Sequence, residues 1–217
     1  MKSARLLGTL WPGLILLGLF GLDIGFFEDG PDGLDPRLIL ALRLPGQPAV
    51  SLGPAWMLET GRDFTALGSN GVIGLLVVTA CGAMLCLGHK RRAGTLAMAC
   101  VTALMGNGIL KLLVHRARPR LIPDAPLVFT TSFPSSHAMM SATAFFTLAA
   151  LVATTCAPLA LRRFAFVMAA VGTGLVGASR VYLGVHWPTD VVGGWLAGLF
   201  CAWLAWRLYG PITRAQA

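Results

Sequence analysis

Three short polar clusters interrupt an otherwise apolar stretch of this chain, and their residue types are those of phosphoryl chemistry. They read Lys111-LLVHRA-Arg118-Pro119, then Pro134-Ser135-Ser136-His137, then Ser179-Arg180-VYLGV-His186-WPT-Asp190. Together they supply fixed cations, two imidazoles and a carboxylate. A phosphate monoester dianion needs charge compensation and directed donors. Arg offers a planar fork matched to phosphate oxygens, and Lys a compact point charge. Lys111, Arg118 and Arg180 provide both kinds. Any one of them, alone, could be snorkelling to the headgroup layer. All three beside two histidines point to a site.

The second cluster leads straight into an apolar run. Ser is a favoured N-cap, and the first turn of a helix presents unpaired N–H groups at a positive dipole end. Ser135, Ser136 and the nearby amides are therefore candidates to bind phosphoryl oxygens; simple helix capping is the plainer alternative. His137 stands one step further in, where a bound anion would favour the imidazolium and poise it as a general acid. In the third cluster Asp190 follows His186 by four residues, and Pro188 suits a first helical turn. A carboxylate that accepts one ring N–H fixes the tautomer and leaves the other nitrogen nucleophilic. Two other readings stay open: half a metal site, opposed by the surrounding cations, or a helix cap and nothing more.

The elements that must position these clusters are membrane spans. The chain has 217 residues, 56% hydrophobic and 12% charged, against about 25% charged in a soluble domain. A bilayer-spanning helix needs about 20 mostly apolar residues, and six stretches qualify, roughly 5–22, 71–88, 94–114, 137–157, 164–183 and 188–208. The formal net charge of +8 does not indicate nucleic acid, because the basic residues are scattered among apolar spans with no basic face or aromatic groove. With the N-terminus inside, Lys2, Arg5, Lys90, Arg91, Arg92, Arg162, Arg163, Arg207 and Arg214 are cytoplasmic. All nine acids then lie outside, on a side expected to be poor in Lys and Arg that nonetheless carries eight. Lys111, Arg116, Arg118, Arg120 and Arg180 break that rule, and they sit in or beside the clusters. The same topology brings all three clusters to one membrane face.

The segment between the first two spans is rich in Gly, Pro and Asp. Within it, residues 54–68 read as a short amphipathic helix with Trp56, Met57, Phe64 and Leu67 on one face. It either lies flat on the outer membrane surface or caps the bundle. No repeat or long linker divides the chain, so residues 1–217 are read as one domain. Cys81, Cys86, Cys100, Cys156 and Cys201 fall in apolar stretches with neither metal-site nor disulfide spacing. His115 and Arg116 lie near the first cluster and His89 in a basic turn; these are weaker candidates.

Taken together, Lys111-x6-Arg118-Pro119, Pro134-Ser135-Ser136-His137 and Ser179-Arg180-x5-His186-x3-Asp190 resemble the signature of the type 2 phosphatidic acid phosphatase superfamily, over roughly residues 105–200. The resemblance implies an all-α membrane protein of six transmembrane helices and a lipid phosphatase that uses neither metal nor cofactor. It makes His186 the nucleophile that forms a phosphohistidine, Asp190 its orienting partner and His137 the acid for the leaving oxygen. Lys111, Arg118 and Arg180 would clamp the phosphoryl oxygens, helped by Ser135 and the Ser136 backbone. The family most often has Gly where this chain has Ser136, whose added hydroxymethyl could narrow the pocket. A lipid phosphate or pyrophosphate is the expected substrate, such as undecaprenyl pyrophosphate, phosphatidylglycerol phosphate or phosphatidic acid. A bacterial inner membrane is the expected location, with both termini cytoplasmic and the site facing the periplasm. A lipid phosphotransferase with the same intermediate, or a non-enzymatic anion transporter, remains the alternative.

Overall fold

The computed structural model describes residues 33–122, 130–155 and 157–210. The expected first span, 5–22, and both termini lie outside them. In chain order the elements are α1 (Leu34–Leu40), β1 (Arg43–Leu44), β2 (Gln47–Ser51), α2 (Ala55–Ala66), α3 (Asn70–Cys86), α4 (Lys90–Val114), α5 (Ser136–Ala153), α6 (Leu159–Tyr182) and α7 (Pro188–Tyr209). By length and composition, α4 to α7 are each apolar enough to cross a bilayer, and α2 with α3, bent by 46°, makes a fifth candidate span. Of the six expected spans, five fall on described residues, where four helices, or five with the bent pair, are long and apolar enough to cross. Apolar side chains such as Leu75, Val78, Leu104, Leu112, Leu113, Phe164 and Val167 are exposed along α3, α4 and α6. In water they would form an outsized apolar surface; in a bilayer they face lipid.

Helix ends depart from the apolar runs where charged residues are helical. Helix α4 starts at Lys90 rather than near 94, and Arg91 Nε donates to the Tyr209 carbonyl at 3.2 Å. Helix α6 starts at Leu159 rather than near 164, because Arg162 caps the preceding turn, donating to the Ala157 carbonyl at 2.9 Å and the Thr155 carbonyl at 3.1 Å. Basic side chains at a bilayer edge extend a helix past its apolar stretch instead of ending it.

Helix α5 is central and packs on α7, α6 and α4. Its buried face is made of small residues, Ala138, Ala142, Thr143 and Ala144 among them. Gly194 and Gly198 of α7 meet that face. A Cβ at Gly194 would lie 2.7 Å from the Ser135 carbonyl oxygen, and one at Gly198 2.9 Å from Ala142 Cβ. Thr143 Oγ1 donates across the contact to the Gly198 carbonyl at 3.1 Å. Small residues four apart let two membrane helices approach closely, and here they bring the N-termini of α5 and α7 side by side.

The Gly- and Pro-rich segment is more structured than its composition implies. Strands β1 and β2 form an antiparallel pair turned by Gly46 at φ 74°. Arg43 ties that hairpin to the end of α6: it donates to the Tyr182 carbonyl and, at 2.8 Å, to Ser51 Oγ. Helix α2 forms within the expected interval. It packs on α6 through Gly61, against Tyr182, and leaves Trp56, Met57 and Leu67 exposed.

Candidate active site

Each cluster occupies a helix end. Lys111 lies in the last turn of α4, Ser135 is the N-cap of α5, Arg180 lies in the last turn of α6, and Asp190 is in the first turn of α7. Helix α4 stops at His115, a left-handed C-cap at φ 50°. That turn sends Arg116 and Arg118 back toward the bundle while His115 itself is exposed.

His186 and Asp190 form the centre, and both are almost wholly buried. His186 Nδ1 lies 3.3 Å from Asp190 Oδ2, and Arg118 Nη1 lies 3.0 Å from His186 Nε2. A guanidinium only donates, so Nε2 is the acceptor and Nδ1 carries the proton toward Asp190. The tautomer is therefore fixed from both sides, with the lone pair on Nε2. Burial pushes the imidazole down to about 4, although its hydrogen bond to Asp190 opposes that shift. His186 is neutral at physiological pH. The carboxylate also accepts the Trp187 N–H at 2.9 Å, so Asp190 caps α7 and orients His186 at once. Capping and the contact with His186 thus occur in one side chain.

The remaining cluster residues converge on this pair. His137 lies within electrostatic reach of Arg180, His186 and Arg118. Lys111 Nζ donates to the Thr131 carbonyl at 2.5 Å. Arg118 also binds the Val185 carbonyl at 2.7 Å, the Thr130 carbonyl at 2.8 Å and Thr130 Oγ1 at 3.0 Å. Arg180 Nη1 donates to Thr65 Oγ1 at 2.9 Å, which brings the bend of the α2–α3 pair onto the site. Arg180 Nε and Ser135 Oγ are buried without a hydrogen-bond partner. Buried polar atoms are almost always satisfied, and these two belong to residues at the ends of α6 and α5. Ser136 behaves otherwise. Its hydroxyl donates to Asn107 Oδ1 at 2.6 Å, which leaves the backbone N–H groups of the first α5 turn as its offering to an anion.

Five residues of the site were not singled out in the sequence: Asp35, Thr65, Asn107, Ser132 and Thr189. Asn107 is a polar residue in the middle of an apolar span, which is a readable signal. Ser132 and Thr189 stand next to the clusters and bind the Asp190 side chain and Arg116 respectively. Asp35 and Thr65 come from the loop segment, where neither composition nor spacing marks them. Arg116 was noted only as a neighbour of the first cluster; it pairs with Asp190 Oδ1 at 2.9 Å and Asp35 Oδ2 at 2.8 Å.

The sequence pattern of the PAP2 superfamily matches residues 92–214, which include every cluster. The chain belongs to the PAP2 superfamily. Phosphatidylglycerophosphatase B of Bacillus subtilis is 34% identical over 160 residues, covering 72% of this chain and 77% of that protein. Undecaprenyl-diphosphatase of Sulfolobus acidocaldarius is 30% identical over 138 residues, covering 59% of this chain and 62% of that one. Among solved structures, the transmembrane PAP2 type phosphatidylglycerolphosphate phosphatase from Bacillus subtilis superposes with a TM-score of 0.80 at 27% identity, covering 94% of this chain and 98% of that one. LpxE of Aquifex aeolicus shares the fold, with a TM-score of 0.61 at 24% identity over 83% of this chain. This PAP2 protein therefore has the membrane fold and the phosphatase kinship that its clusters led one to expect.

Proposed function

We propose that this PAP2 protein is a metal-independent lipid phosphatase that removes a phosphoryl group from a lipid phosphate or pyrophosphate through a phosphohistidine at His186. One observation carries the reading: His186 is held between a donor at Nε2 and a carboxylate at Nδ1, 3.0 Å and 3.3 Å away. This is the tautomer an imidazole nucleophile requires.

The reaction follows from the positions. Lys111, Arg118 and Arg180 compensate the phosphoryl charge, with Ser135 and the first-turn amides of α5 as further donors. As an oxygen of the substrate takes the Arg118 N–H, the Nε2 lone pair is released and attacks phosphorus in line. The bond from phosphorus to the lipid oxygen breaks, and His137 gives that oxygen a proton. Asp190 stabilises the positive ring through Nδ1–H. Water then attacks the phosphohistidine, His137 takes its proton, and the P–N bond returns its electrons to Nε2 as phosphate leaves. Catalysis here is positioning plus preorganised charge, as phosphoryl transfer requires. The cations supply the compensation that a metal would otherwise give.

The site end of α4 to α7 is opposite the end that carries Lys90, Arg91, Arg92, Arg162, Arg163 and Arg207. Basic residues accumulate on the cytoplasmic side, which supports a periplasmic site in a bacterial inner membrane. The relatives named for phosphatidylglycerophosphate and undecaprenyl diphosphate define the substrate panel, with phosphatidic acid beside them. Purified protein in EDTA should release phosphate from at least one of these lipids without an acceptor lipid. Release only when an acceptor is supplied would indicate a transferase instead, and no reaction with any lipid would contradict the assignment.

A further inference from the structure

Nucleophilic attack by Nε2 puts a positive charge on the His186 ring, and Asp190 has to answer it. How well it can depends on what else holds that carboxylate. Asp190 Oδ2 accepts from His186 Nδ1, from the Trp187 N–H and from the Ser132 hydroxyl. Oδ1 accepts from Arg116 at 2.9 Å. A guanidinium bound to Asp190 alone would neutralise much of the charge intended for the imidazole. Arg116 is not bound to Asp190 alone. Its other nitrogen donates to Asp35 Oδ2 at 2.8 Å, and Asp35 also accepts the Thr189 N–H at 3.2 Å and the Thr189 hydroxyl. Asp35, Arg116 and Asp190 are 2%, 8% and 0% exposed at their side chains, so solvent screens these charges little.

We propose that Asp35 is a positioning residue for the phosphoryl-transfer step: it holds Arg116 between two carboxylates, so that Asp190 keeps the negative charge that supports His186. This rests on the phosphohistidine reading above. Among the described residues, the other titratable groups near the His186–Asp190 pair are Lys111, Arg118 and Arg180, assigned to the phosphoryl group, and His137, assigned to proton transfer. Asp35 is buried and reaches the ring only through Arg116 and the first turn of α7. It also lies upstream of the matched family region, at the start of the seven-residue α1. The segment before residue 92 therefore contributes to the chemistry as well as to the scaffold.

The test uses the full-length protein in detergent, with the lipid that gives the highest turnover from the panel above. Asp35→Asn keeps the size and an acceptor for the Thr189 N–H but removes the charge. It should lower kcat about tenfold with little change in KM, because the ground-state cations are untouched. Asp35→Asn combined with Arg116→Gln should be no slower than Arg116→Gln alone, since both act through one guanidinium. Glu59→Gln, which removes an exposed carboxylate of α2 outside the site, should retain wild-type kcat. If Asp35→Asn does not fold, Arg116→Lys carries the test, because it keeps the charge without bridging both carboxylates, and it should lose kcat at constant KM. Wild-type kcat in Asp35→Asn, or in Arg116→Lys where that variant replaces it, would overturn the proposal; so would equal losses in Glu59→Gln and Asp35→Asn. If His186→Ala is inactive while Asp35→Asn is unimpaired, only this proposal fails. If His186→Ala retains turnover, the phosphohistidine reading fails with it.

Discussion

Arg118 Nη1 donates to His186 Nε2 at 3.0 Å and to the Val185 carbonyl at 2.7 Å, so one nitrogen both marks the His186 lone pair and anchors the loop that carries it. The same side chain binds Thr130. Under the proposed reaction Arg118 therefore has two tasks, shaping the site and meeting the phosphoryl group. Arg118→Lys keeps a charge but loses the fork. The expected result is a kcat lower by about 10²–10³, the cost of removing one preorganised transition-state donor, measured as phosphate release at saturating lipid.

Burial holds His186 down to about 4. Above that value Nε2 keeps its lone pair; as pH falls through it the ring protonates and the nucleophile is lost. Titrating the ring resonances by NMR, with His186 assigned by its absence in His186→Ala, should give a midpoint near 4. A midpoint at the ordinary value of about 6.5 would mean that the ring is solvated rather than enclosed by Arg118 and Asp190.

Ser136 replaces the glycine usual in the family, and its hydroxyl is engaged with Asn107 Oδ1 at 2.6 Å. The contact left for a phosphoryl oxygen is backbone N–H, which any residue supplies. Ser136→Gly should keep kcat/KM within about threefold of wild type, a shift of under 1 kcal/mol. Asn107→Leu should behave differently. It strips partners from Ser136 and from the Pro134 carbonyl, and should cost about 1–3 kcal/mol of stability, read as a lower Tm in detergent.

The contact between α5 and α7 has no room for a side chain at Gly194, where a Cβ would lie 2.7 Å from the Ser135 carbonyl and 3.0 Å from Ala138 Cβ. Gly194→Val should lower Tm by the equivalent of about 1–3 kcal/mol. Activity should fall further than stability, because the same contact sets the spacing between the α5 N-terminus and the Asp190 turn. Parallel measurement of Tm and kcat on the folded fraction separates the two.

What was legible beforehand follows from how local each signal is. His186 and Asp190 are four positions apart, and the alternating direction of the spans put Lys111, Ser135 and Arg180 at one membrane face, while their expected roles came from the resemblance to the family. Asp35 and Thr65 touch the site across 154 and 115 positions of chain respectively, and nothing in a Gly-rich loop foretells such contacts. Ser136 was legible as a departure from the family, but the remedy lay in Asn107, one helix away. Span ends were misplaced where arginines such as Arg162 prolong a helix. The bend that joins α2 to α3 rests on Gly68 packing against Val176 and His137, a tertiary contact that hydropathy does not register.

The most direct test of the central claim is phosphate release by purified His186→Ala, in EDTA, on the lipid that wild type turns over best. The variant should fold, with a wild-type elution profile. It should release no phosphate above the uncatalysed rate, since the proposed phosphohistidine cannot form without the His186 imidazole. Retained turnover by folded His186→Ala would contradict the account.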